Sequence, residues 1–196
     1  MMLVGITGHA QHGKDTIASV LVEEYGFVRI AFADALKSMA LALDPWVIHR
    51  VPADDPGAIE PVRLSFVVET GGWESAKTIT EVRRFLQVLG TEGVRGHLGE
   101  DSWLRAWQKT VDGIGVAVAG IVVPDVRFPN EADYIRYRSG ELWEVMRPGF
   151  DNGVGTDHPS EQYIDELGAT VGFMNMGTID DLKDMVRARM ADREHA

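Results

Sequence analysis

Nine residues near the start of the chain constrain its fold more than any others. Residues 8–16 read G-H-A-Q-H-G-K-D-T. An apolar run, Met1 to Ile6, precedes them, and a helical pattern follows, with Ile17, Val20, Leu21 and Glu24 at spacings of three and four. The order is strand, glycine loop, helix. Gly8, Gly13 and Lys14 take the spacing G-x-x-x-x-G-K of a phosphate-binding loop (P-loop), with His12 inside it, and the flanking elements are those such a loop needs. Glycines let the backbone curl until consecutive N–H groups point inward, and the helix N-terminus adds its dipole. Lys14 reaches the outer phosphates as a point charge. The residue after Lys14 is Asp15, where Ser or Thr is usual, and Thr16 follows. The usual hydroxyl ligates magnesium; a carboxylate is also a hard oxygen ligand and can do the same, directly or through water.

Composition narrows the ligand. The 196 residues suit one domain with an inserted subdomain, long enough to bury a core. A net charge of −11 argues against a nucleic-acid polymer as partner, because such binding needs a basic face, but one basic pocket still serves a nucleotide. With no cysteine there is no disulfide, thiolate metal site or cysteine nucleophile. The first residues enter a strand without a charged leader, and the most apolar stretch, Gly113 to Val123, is too short to span a bilayer. The expected setting is cytoplasmic, with no membrane partner.

Further strands and helices follow in alternation. Val28 to Ala33 reads as a second strand, ending at Asp34, with a helix over 35–43 that puts Asp34 and Lys37 on one face. Asp34 is equally an N-cap and Lys37 equally a surface charge. Residues 44–72, with Pro45, Pro52, Pro56, Pro61 and the pair Asp54–Asp55, read as loop and short helix, and Gly71–Gly72–Trp73 as a turn. Thr80 opens a helix with a buried stripe of Val82, Phe85, Leu86 and Leu89, ended by Gly90. Arg83, Arg84 and Gln87 fall on its other faces. A second helix runs through Trp103, Leu104 and Trp107, and the pair forms a helical insertion over about 44–112.

Val116 to Val123 reads as a central parallel strand buried on both faces. Its end, P-D-V-R-F-P-N-E-A, places Asp125 where a second magnesium-associated carboxylate sits beside such loops, with Arg127 two residues on and a helix from Asn130 and Glu131. Glu141 to Met146 is a fourth strand ending at Arg147. A lid spans about 147–168, including D-N-G-V-G at 151–155 and a short helix from H-P-S-E at 158–161 to Leu167. Ala169 to Met174 is the fifth strand, followed by Asn175 and Thr178. The last helix, Ile179 to Met190, turns Leu182, Met185, Val186 and Met190 inward, and a frayed polar tail closes the chain. The expectation is a three-layer α/β fold with a five-stranded, mostly parallel sheet, its core from 1–43 and 113–196.

Five blocks in order resemble the deoxynucleoside monophosphate kinases encoded by bacteriophages. They are G-x-x-x-x-G-K-D-T at 8–16, F-A-D-A-L-K at 32–37, R-R-F-L-Q-V-L-G-T-E at 83–92, D-V-R-F-P-N-E-A at 125–132 and H-P-S-E at 158–161. The unusual Asp15 is part of that pattern. The resemblance implies transfer of the γ-phosphoryl of ATP to a deoxynucleoside 5′-monophosphate, for DNA precursor supply in the host cell's cytoplasm. It implies that the loop amides and Lys14 hold ATP and that Mg2+ lies near Asp15, Thr16 or Asp125. Asp34, Lys37, Arg83, Arg84 and Arg127 then serve the acceptor, and the catalytic residues are Lys14, Arg127 and, from the lid side, Arg147, the two arginines neutralising the migrating group. Gln87, Glu131 and Phe150 or Trp73 face the deoxynucleoside, and Asn175 and Thr178 the adenine of ATP. A homodimer is allowed by the resemblance alone. Competing expectations are a small-acceptor kinase of the dephospho-coenzyme A or phosphomevalonate type, and a nucleotide-dependent switch.

Overall fold

The computed structural model describes residues 1–50, 59–114, 118–150 and 163–194. In chain order the first elements are β1 (Met2–Thr7), α1 (Lys14–Tyr25), β2 (Phe27–Arg29), α2 (Ala33–Leu43), β3 (Trp46–Arg50), β4 (Ile59–Arg63), α3 (Leu64–Ala76) and α4 (Thr80–Gln87). A π-helical stretch, Val88–Arg95, leads into α5 (Gly96–Leu98) and α6 (Ser102–Asp112). Then come β5 (Gly120–Val123), α7 (Pro129–Tyr137), β6 (Glu141–Met146), a 3-10 turn at Ile164–Glu166, β7 (Val171–Met174) and α8 (Ile179–Glu194). The chain divides into two compact units, Met1–Phe32 with Trp107–Ala196, and Ala33–Ala106.

The first unit is the expected α/β sheet. Five strands lie in the order β2-β5-β1-β6-β7, every neighbouring pair parallel. Parallel strands covered on both faces need continuous apolar runs, and β1 and β5 supply them: Leu3 to Thr7 and all of β5 are buried. Helices α1 and α8 pack on one face, closing a core of Ile17, Leu21, Leu182 and Val186 against Val4, Ile6 and Val145. β1 lies at the centre of the sheet, where the connection order reverses. In sheets of this kind ligands bind beyond the carboxyl end of such a strand.

Strand and helix ends differ from the sequence reading for local reasons. β2 stops at Arg29, although Ile30 N–H still donates to Val122 C=O at 3.0 Å, because α2 already begins at Ala33. Of the expected strand 116–123, Gly120–Val123 is strand, and Val116 and Ala117 lie outside the described residues. Residues 192–194 continue α8 rather than fray. Met185 is 42% exposed, since Leu182, Val186 and Met190 alone fill the buried stripe. The D-N-G-V-G and H-P-S-E segments of the expected lid lie outside the described residues, as does most of it.

The second unit holds a β-hairpin that the prolines concealed. β3 and β4 pair antiparallel, with Pro61 opposite Ile48. A two-stranded ribbon leaves each strand an open edge, where a residue without N–H costs no ladder bond. Pro52, Asp54, Asp55 and Pro56 lie outside the described residues. The expected turn at Gly71–Trp73 is a kink inside α3, where Gly72 takes φ 72°. Trp73 packs against the core of this unit, with Ala40, Leu64 and Val82. Gly90 does not end α4. It lies in the π-helical stretch, where a Cβ would come within 3.1 Å of Leu36 Cδ2, so a glycine admits the α2 side chain. The Trp103 indole N–H donates to Gly90 C=O at 2.9 Å. Among the described residues no helix is long and apolar enough to cross a membrane.

Candidate active site

The loop from Gly8 to Gly13 joins β1 to α1, and its two glycines are where its geometry is tightest. Gly8 (φ 132°), Gln11 (φ 64°) and Gly13 (φ 117°) all take positive φ. Only glycine visits most of that region without strain. At Gly8 a Cβ would stand 2.4 Å from Val145 C=O; at Gly13 it would stand 2.6 Å from Leu182 Cδ2 and 3.1 Å from Asn175 Nδ2. The loop therefore lies directly on β6 and α8. Lys14 folds its ammonium back over the loop, donating to Gly8 C=O and, at 2.7 Å, to His9 C=O. A cation is thereby held above the curl of amides at the α1 N-terminus, an arrangement that suits an anionic chain. Asp15 is exposed in the first turn of α1, and Thr16 is half-buried.

Two strand ends hold this loop in place. After β7, the Asn175 carboxamide donates to His12 C=O at 2.8 Å, and Asn175 N–H donates to Met146 C=O at 2.8 Å. After β6, Arg147 N–H donates to His12 Nδ1 at 3.3 Å, and the Arg147 guanidinium lies 4.5 Å from the centre of the Phe150 ring. The His12 ring also meets His9 and Phe150 edge-on, at 5.5 Å and 6.3 Å. Burial first, and then the nearby His9, hold the His12 imidazole below the ordinary histidine pKa, so it is neutral and an acceptor at pH 7. His9 Nε2 lies 3.0 Å from Asp165 Oδ1. Glu144, on β6, is pushed above the usual carboxylate range by burial and then by Asp165.

The end of β5 forms the third side. Asp125 Oδ1 accepts the Phe32 N–H at 2.9 Å, and the Phe32 ring in turn packs at a tilt against Trp107, with ring centres 5.4 Å apart. The Trp107 indole N–H donates to Ile30 C=O at 3.0 Å. Arg127 is half-buried one residue after Val126, whose N–H donates to Ile6 C=O at 3.1 Å. The first unit thus brings Lys14, Asp125, Arg127 and Arg147 to the carboxyl edge of one parallel sheet.

Several side chains expected to touch ligand make bonds within the fold. Glu131 is 2% exposed, and its Oε2 accepts the N–H groups of Arg127 and Phe128 at 2.9 Å and 3.2 Å, so it grips its own loop. Thr178 caps α8: Asp181 N–H donates to its Oγ1 at 3.2 Å, and Asp181 Oδ2 accepts the Thr178 N–H at 2.7 Å. That bond holds the Asp181 carboxyl below its usual range. Asn175 secures the loop backbone, and Phe150 carries the Arg147 guanidinium. The T-x-x-D spacing of the Thr178 cap is legible in sequence. The Glu131 grip is not, because the cap position there is Phe128, which has no acceptor in its side chain.

The second unit carries the remaining candidates. Lys37 Nζ lies 3.9 Å from Asp34 Oδ1, one turn away on α2. The Arg83 guanidinium donates to Lys77 C=O at 3.1 Å and 3.3 Å, which fixes its direction across the α3–α4 connection. Arg84 and Gln87 are exposed on α4.

For a divalent cation, the oxygens of Asp15, Thr16 and Asp125 are hard donors of the right kind. Among the described residues no cluster of three or more His, Asp or Glu side chains could enclose a metal.

Known proteins bear on this arrangement. The family model for deoxynucleotide monophosphate kinases matches residues 65–186. A protein of Acanthamoeba polyphaga mimivirus, provisionally named a deoxynucleotide monophosphate kinase, is 27% identical over 197 residues, covering 95% of this chain and 94% of its own. Among solved structures, the Thermus thermophilus protein TT1252 superposes with a TM-score of 0.50 at 15% identity, over 97% of each chain. At that identity the likeness shows a shared fold. Shikimate kinase from Aquifex aeolicus gives a TM-score of 0.48 at 8% identity over 98% of each chain.

Proposed function

The chain belongs to the deoxynucleotide monophosphate kinase family, and on that premise we propose that it moves the γ-phosphoryl of ATP to a deoxynucleoside 5′-monophosphate, giving ADP and the diphosphate. The observation that carries this reading is the family match across 65–186, which takes in both arginine-bearing blocks, 83–92 and 125–132. A protein that only bound or slowly hydrolysed one nucleotide would need the loop around Lys14 but not cations for a second phosphate.

In this reading the loop amides and Lys14 hold the phosphates of ATP. Magnesium, with Asp15, Thr16 or Asp125 as its protein oxygens, would neutralise phosphate charge when bound. Arg127 and Arg147 offset charge on the migrating group, and Lys37, Arg83 and Arg84 bind the acceptor phosphate, with Gln87 toward the deoxynucleoside. The acceptor is already an anionic oxygen, so no general base is required; positioning and charge neutralisation supply the catalysis. The product is a DNA precursor, and the proposed setting is the cytoplasm.

Thermal shift tests the two-ligand requirement. A ligand at 100 times its Kd adds about 2.7 kcal/mol to the folded state, a rise of roughly 5–10 °C in Tm for a chain of this size. ATP and at least one deoxynucleoside monophosphate should each raise Tm. A response to ATP with none to any monophosphate, including at millimolar concentration, would favour the switch reading, and a response to dephospho-coenzyme A instead would favour that acceptor.

A further inference from the structure

The loop between β5 and α7 carries Arg127, and its backbone is held residue by residue. Asp125 takes the Phe32 N–H on Oδ1, and Val126, 1% exposed, donates its N–H to Ile6 C=O on β1. Pro129 opens α7 and has no N–H to satisfy. The two amides in between, those of Arg127 and Phe128, both donate to one oxygen of Glu131.

Glu131 is an expensive choice if capping α7 were its whole task. Nearly complete burial disfavours a carboxylate unless its hydrogen bonds are made, whereas a Ser, Thr or Asp at the cap position would close the helix from the surface. The carboxylate reaches back one residue beyond the cap to the amide of Arg127 itself. Charge-assisted bonds of this kind are short and directional, and the α7 N-terminus favours the negative charge. The backbone from which the Arg127 side chain springs is thus pinned on one side by β1, through Val126, and on the other by Glu131.

Resting on the kinase reading above, we infer that Glu131 is a positioning residue for Arg127: it sets the origin and direction of the guanidinium and touches no nucleotide. A misplacement of about 1 Å can cost two decades in rate, so this grip matters to transfer as well as to stability.

The test is a cycle of Glu131→Ala, Arg127→Ala and the double variant, with Glu131→Gln as the conservative change. Steady-state constants are measured for ATP and for each accepted deoxynucleoside monophosphate, and hydrogen exchange is followed at the Arg127 and Phe128 amides. Glu131→Ala should lower kcat/KM for the acceptor by about 10- to 100-fold, by one common factor for every base, with KM for ATP within about twofold. Glu131→Gln keeps an acceptor oxygen and should stay within about fivefold of the parent. In the Arg127→Ala background, loss of Glu131 should cost no more than about threefold, because groups acting as one unit are not additive. Exchange at the two amides should quicken at least about tenfold in Glu131→Ala.

The same loss with and without Arg127 would overturn the inference, and so would a loss that differs among bases, which would put Glu131 on the nucleoside. Unchanged exchange at the two amides would overturn it whatever the reaction. If Glu131→Ala does not fold, Glu131→Asp, one methylene short of the Arg127 amide, replaces it in the cycle with the same expected outcomes. A parent protein that turns over no deoxynucleoside monophosphate would instead fault the function, while the exchange result still judges the grip.

Discussion

Gly8→Ala should be among the most damaging single-methyl additions to this chain, and its cost can be worked from the loop. Two effects combine. Alanine at φ 132° occupies backbone space that L residues rarely enter, at about 1–3 kcal/mol. The added Cβ would also stand 2.4 Å from Val145 C=O. Val145 is fully buried in β6, which is hydrogen-bonded between β1 and β7, so the oxygen cannot retreat. Overpacking of this kind costs a further ~1–3 kcal/mol. The sum is roughly 2–6 kcal/mol, or a fall in Tm on the order of 4–24 °C for a chain of this length. Gly26→Ala is the control. Gly26 also has positive φ (69°), at the end of α1, but its Cβ would meet only Ala119 Cβ at an ordinary 3.8 Å. There the backbone effect acts alone, about 1–2 kcal/mol. Urea melts followed by tryptophan fluorescence and circular dichroism give both values. Equal losses in the two variants, or a Gly8→Ala loss below about 1 kcal/mol at unchanged m-value, would refute the claim that the loop is seated on the β6 backbone.

Two further outcomes follow from the same loop. Lys14→Ala should keep the parent's far-ultraviolet circular dichroism yet lower turnover by about two to three decades, the ~2–4 kcal/mol typical of one cation acting on developing charge. Unchanged turnover would remove Lys14 from the phosphate site. His12 should titrate below the ordinary histidine value in an NMR pH series. A base whose pKa is lowered by folding takes its proton first in the unfolded chain, so the His12 contribution to stability falls as pH drops through about 6.5. Parent and His12→Asn melts should therefore diverge in pH dependence between pH 7 and 5. A midpoint at or above the ordinary value would contradict the burial of the imidazole in its contact with Arg147.

The sheet was legible because parallel strands advertise themselves. β1 and β5 are near-continuous apolar runs, and the two loop glycines with Lys14 mark the turn between β1 and α1. The hairpin was hidden by Pro61, whose lost N–H matters only in a central strand. The continuation past Gly90 was hidden because a glycine reads as a stop, while here it admits Leu36. At the candidate site, residue types pointed to strand ends that the fold brings to one sheet edge, but not to the bonds each side chain makes there. Asn175, Thr178 and Glu131 look like ligand-facing polar groups in sequence, yet each one also bonds backbone groups: Thr178 and Glu131 within a few residues, Asn175 across strands that pair only in the folded chain. The Thr178 cap was readable from its spacing; the hold of Asn175 on the loop backbone, across 163 positions of sequence, was not.

The most direct test of the account is a coupled ADP-release assay with magnesium-ATP and each of the four deoxynucleoside monophosphates in turn, with AMP, dephospho-coenzyme A and no acceptor as controls. The account predicts turnover that requires a deoxynucleoside monophosphate and yields its diphosphate. Turnover with only a control acceptor, or slow ADP release indifferent to every acceptor, would contradict it.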